Sequence, residues 1–257
     1  MSHVEPHVPH LHPRLALGFG LALAAATFAV LLLTNGQPSS VLSPSSPTAA
    51  SANASTGVTM PLADRIVPAS VFPGFFSPTP AGVVTSARAW VTTVEQSRDA
   101  TRETQRLQGL GFTGGVQERL FARYPGQAET ISIAERYRTS AGAQAELAYQ
   151  RGTTLRLSRT TREKLSLLRS VGVPGAFGWV VRSGRFTGVN VMFASGPYYY
   201  LVGSGSPSGG AASPAHVTAG AQFLYLLVHG CVSAKAIGRD GWSRVVWSEK
   251  AGRIITR

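Results

Sequence analysis

Residues 178–203 read GWVVRSGRFTGVNVMFASGPYYYLVG, and the punctuation of this stretch decides the fold. Ser183-Gly184 and Ser195-Gly196-Pro197 are hairpin loops that divide it into strands Gly178 to Arg182, Phe186 to Ala194 and Tyr198 to Gly203. In the second of these, Val189, Val191 and Phe193 alternate onto one face, as a half-buried antiparallel strand requires.

Working outward, two more strand-like runs come earlier, Val116 to Tyr124 and Thr130 to Arg138, parted by the turn signal Pro125-Gly126. In the later run Ile131, Ile133 and Tyr137 share a face. Between these strands and the later three, Ser140 reads as the cap of a helix from Ala141 to Arg151, which Gly152 closes. Thr79-Pro80 opens the first long helix, with Val83, Ala87, Trp90, Val91 and Val94 at helical spacing and an end by Gly109. Ser213-Pro214 opens the last helix, which carries Val217, Ala221, Leu224 and Val228 and stops at Gly230. The order α-β-β-α-β-β-β-α over residues 61–229 predicts an α+β domain, an antiparallel sheet with helices packed on one face.

Ahead of this domain, Leu15 to Leu33 is a run of nineteen residues without a charge, long enough to cross a hydrocarbon core of about 30 Å. The expected layout is a cytoplasmic stub (1–14), a transmembrane helix (15–34), a Ser/Pro/Thr/Ala-rich linker (35–60), the α+β domain and a basic tail (230–257). Arg14 precedes the apolar run and the next basic residue is Arg65, so the amino terminus is expected inside the cell and the domain outside it. Cleavage of a long signal peptide, releasing a secreted domain, is the competing reading. The run exceeds the usual signal-peptide core, and small-residue sites such as Ala50-Ser51-Ala52 lie far beyond its end.

The formal charge of +12 is carried by 21 Arg and 3 Lys against 12 acidic residues. An exported domain meets the membrane surface and the envelope first, which argues against nucleic acid as partner. The single cysteine, Cys231, excludes an internal disulfide and a cysteine-based zinc site. GLGFTG at 109–114 matches a dinucleotide fingerprint in letters only, since there a helix precedes and a strand follows, the reverse of what pyrophosphate binding needs. Only His216 and His229 fall in the domain, and no GxSxG elbow surrounds Ser204, Ser206 or Ser208. Glu95, Asp99 and Glu103, interleaved with Arg98, Arg102 and Arg106, read as a solvated helix face. No catalytic residue, cofactor or metal is expected.

Two groups remain as candidates for binding. Arg156, Arg159, Arg162 and Lys164, followed by Arg169, would suit an anionic partner, or would form the wet side of an amphipathic helix with Leu157, Leu165 and Leu168 inward. Tyr198-Tyr199-Tyr200 alternates sides, so at least one ring is expected to face away from the core, with Tyr198 and Tyr200 available to a ligand.

The segments Phe72-Pro-Gly-Phe75, Leu107-Gln-Gly-Leu-Gly-Phe112, Val173-Pro-Gly-Ala176 and Phe193-Ala-Ser-Gly196 give residues 61–229 a layout that resembles extracytoplasmic domains of actinobacterial single-pass membrane proteins. That resemblance implies no activity and no catalytic residues. The expectation is therefore a membrane-anchored binding, sensory or accessory domain of the cell envelope, with the bilayer as partner through 15–34 and an envelope protein or anionic polymer beyond it. An envelope enzyme assembled from scattered residues such as Tyr200, Arg182, Glu135 and His216 is the alternative.

Overall fold

The computed structural model describes residues 60–232, apart from 73, 79–80, 98, 123–128, 161–163, 169–170 and 207–212, together with 245–248 and 253–256. The expected stub, transmembrane helix and linker, as well as Thr79-Pro80 and Arg162, lie outside the described residues. Among the described residues no helix is long and apolar enough to cross a membrane.

An antiparallel sheet of eight strands forms the frame: β1 (Phe75–Phe76), β2 (Gly82–Val84), β3 (Phe112–Ala122), β4 (Glu129–Tyr137), β5 (Lys164–Leu167), β6 (Phe177–Ser183), β7 (Phe186–Ser195) and β8 (Tyr198–Ser206). Their spatial order is β1-β3-β4-β8-β7-β6-β5, and β2 also pairs with β3. The hairpin loops read from residues 178–203 fall where expected, and Gly184 and Gly196 take the left-handed conformation those loops need.

The helices cover both faces, which corrects the one-face expectation. Every residue of β8 after Tyr198 is buried, and an unbroken buried run means cover above and below. On one side Tyr200, Val202, Val189, Val191 and Phe193 meet Val217, Ala221, Leu224 and Leu227 of α4 (Pro214–Val228), together with Val67, Val71 and Phe72. The backbone N–H of Val67 donates to the Ser132 hydroxyl at 2.9 Å and pins that N-terminal stretch to β4. On the other side Tyr199, Leu201, Met192, Trp179 and Val181 meet α1 (Ala87–Trp90), α2 (Ala100–Gly109) and α3 (Ser140–Thr160) through Trp90, Leu107 and Ala143. Two rings of the tyrosine triplet are thus inside, Tyr199 on one face and Tyr200 on the other, while Tyr198 is half-buried.

Several boundaries also move. The first helix starts at Ala87 under a Ser86 cap, because Gly82–Val84 is taken up by the edge of β3. It passes into a π-helical turn, Val91–Glu95, and breaks at Gln96 before Asp99 caps α2. Gly152 does not stop α3: it faces open space in mid-helix, where glycine weakens a helix by roughly 1 kcal/mol without ending it. The segment read as one basic helix divides instead into the end of α3 and edge strand β5. In the tail, β9 (Val245–Ser248) pairs antiparallel with β10 (Arg253–Thr256).

Candidate functional site

Beneath α2 and α3 lies a cage of four glutamates around one arginine. Glu103 and Arg106 come from α2, Glu146 from α3, Glu135 from β4 and Glu95 from the π-turn. Arg106 donates through Nε to Glu103 at 2.6 Å and through both terminal nitrogens to Glu146, one of these at 3.2 Å. Its guanidinium also lies over the Tyr149 ring, 3.9 Å from the centroid. Glu135 accepts from the Trp90 indole at 2.9 Å and from the Tyr137 hydroxyl at 2.6 Å. Burial, and then the nearby Glu146 charge, push the Glu135 carboxyl up to about 8.

Glu103 and Glu95 therefore do not belong to a solvated face. The i, i+4 pattern that joined Glu95, Asp99 and Glu103 assumes one continuous helix, and the break at Gln96 rotates the two halves independently. Asp99 alone stays exposed, as the α2 cap accepting from the Arg102 N–H at 3.1 Å.

The opposite face carries an aromatic ladder. Arg65, itself buried, lies 3.8 Å from the Tyr198 centroid and donates to the Tyr200 hydroxyl at 3.0 Å. Burial pushes that hydroxyl up to about 12 despite the arginine. Tyr200 stacks on Phe193, which meets Tyr225 edge-on. At the end of the ladder His229 Nδ1 and the Tyr225 carbonyl are 2.6 Å apart, a geometry that makes Nδ1 the donor and leaves Nε2 to accept from Ser195, 3.1 Å away. This Ser195–His229 pair is not evident from residue spacing. Its signal was topological: a helix returning antiparallel after β8 must end beside the β7–β8 loop. The pair is a hydrogen-bonded cap at an open end of the sheet, and among the described residues no carboxylate ion-pairs with His229.

Of the expected binding residues, Arg156 and Arg159 are exposed on α3, across the sheet from the ladder that holds Tyr198 and Tyr200, and Lys164 is exposed on edge strand β5. The two groups do not form one site. Lys164 is instead directly opposite Arg182 across the β5–β6 pair. The scattered enzyme constellation is not assembled either: Glu135 pairs with Tyr199 and so projects to the face opposite Tyr200, and His216 is exposed at the start of α4. Among the described residues no cluster of His, Cys, Asp or Glu is arranged to hold a metal ion.

No protein-family model matches the sequence, and no curated protein sequence matches it. Among solved structures, the fold is similar to the extracellular domain of PknH from Mycobacterium tuberculosis, with a TM-score of 0.38 and 10% identity over 59% of this chain and 79% of that one.

Proposed function

We propose that this chain is a membrane-tethered, non-catalytic domain of the cell envelope that binds an anionic polymer through its exposed arginines. The observation that carries the reading is the partition of charge. Glu103, Glu118, Glu129, Glu135 and Glu146 are buried, whereas Arg88, Arg102, Arg136, Arg138, Arg151, Arg156, Arg159, Lys164, Arg182 and Arg185 are exposed. The solvent-facing field is more positive than the formal charge suggests, and such a field gathers polyanions. Lys164 opposite Arg182 supports the same reading, since like charges across a strand pair are destabilising unless an anion offsets them. The tether is the apolar run 15–33 with its uncharged flank.

The test uses the full chain in nanodiscs of zwitterionic lipid, titrated with polyphosphate at rising NaCl. Affinity should fall steeply with salt, and the combined change Arg156→Gln, Arg159→Gln, Lys164→Gln should weaken it by roughly tenfold. Binding indifferent to salt, or unaltered in that variant, would defeat the proposal. Fractionation with N-terminal sequencing tests the tether separately: a mature start near residue 50 in the soluble fraction defeats the anchor.

A further inference from the structure

The π-turn Val91–Glu95 is the most irregular helical segment described, and it ends at Gln96, whose φ of 50° places a non-glycine residue in the left-handed region. Both features cost free energy and persist only where surrounding contacts hold them. Val91 and Val94 pack into the core from this turn, and its buried polar contact is Glu95, whose Oε2 is without a hydrogen-bond partner.

The charges that face Glu95 come from every neighbouring element. Glu103 and Arg106 approach from α2, Glu135 from β4, Glu146 from α3, and Tyr199 from β8. Arg106 is the cage's one described cation, and its hydrogen bonds are given to Glu103 and Glu146. Glu135 has Trp90 and Tyr137 as donors. An ionised Glu95 would add a further negative charge to a site with one positive charge, and an oxygen with no donor.

We propose that the π-turn is a proton-operated latch: a protonated Glu95 seats it against the cage, and ionisation of Glu95 releases it to solvent. Burial, followed by the Glu135, Glu103 and Glu146 charges, holds the Glu95 carboxyl well above its ordinary value of 4.5 while seated. In the released state that value is restored. The seated state therefore binds the proton more tightly, is fully favoured below about 4.5, and is lost as pH rises through the raised value.

Hydrogen exchange of the full chain in detergent micelles, followed by mass spectrometry between about pH 5 and pH 8, reads this opening directly. After correction for intrinsic exchange, peptides covering 91–97 should open more with pH, approaching tenfold per unit, while those of β7 and β8 stay closed. Glu95→Gln should make the 91–97 profile flat, and Glu95→Leu serves if the glutamine variant does not fold. A flat profile in the unaltered chain overturns the latch. So does a slope that survives both Glu95 variants, or one removed by Glu135→Gln alone.

Discussion

Gly115 shows how one missing side chain organises the cage. A Cβ there would lie 2.7 Å from the Trp90 ring, so its absence lets the indole lie flat on the sheet and reach Glu135, the cross-strand partner of Gly115. Gly115→Ala should cost about 1–3 kcal/mol in denaturant unfolding, as overpacking in a filled core does. Glu135 itself gives the fold a pH dependence. Its carboxyl rises from 4.5 to about 8 on folding, so the native state holds its proton more tightly than the unfolded chain. Stability from this group is complete below about 4.5 and is lost as pH rises through about 8, and the unfolding temperature should fall across that window. Glu135→Gln should flatten part of that fall. None of this was legible at single residues: in the sequence Glu135 is one acidic letter in a strand, and only pairing with Gly115 and Tyr199 shows that it faces inward.

At the scale of elements, much was legible where local chemistry acts alone. Ser213-Pro214 starts α4 as read, because a capping hydroxyl and a proline without an N–H need no tertiary help. Ser213→Ala should lower stability by about 1 kcal/mol, measurable in the same denaturant series. Local signals failed where the sheet intervened. Gly82–Val84 carries helical spacing but is captured by β3, and the tyrosine triplet was read for one buried face when β8 has two. The cage also binds two elements by a buried charge, since Arg106 on α2 reaches Glu146 on α3. Arg106→Met would leave those carboxylates without their cation, at a cost of roughly 3–5 kcal/mol near neutral pH.

For the whole molecule, the burial of five glutamates beneath a surface rich in arginine was the feature least visible in composition, which counts charges without placing them. The candidate arginines were found by their density along the chain, but not their separation from the tyrosines, which follows from the two-sided sheet. That sheet has one more property of scale. The β4–β8 seam joins residues 62 to 76 positions apart, from Arg136 with Tyr198 to Glu129 with Gly205, whereas β3–β4 and β6–β7–β8 are hairpins that close locally. Loop closure over such a span is slow relative to hairpin formation. The two halves therefore form early and wait for each other, each presenting an open strand edge of the kind that pairs with the wrong chain. In pulse-labelled refolding, amides along β4 and β8 that face the seam should gain protection together and after those within the hairpins. Crowding many copies together during that interval would favour swapped dimers joined through the same seam.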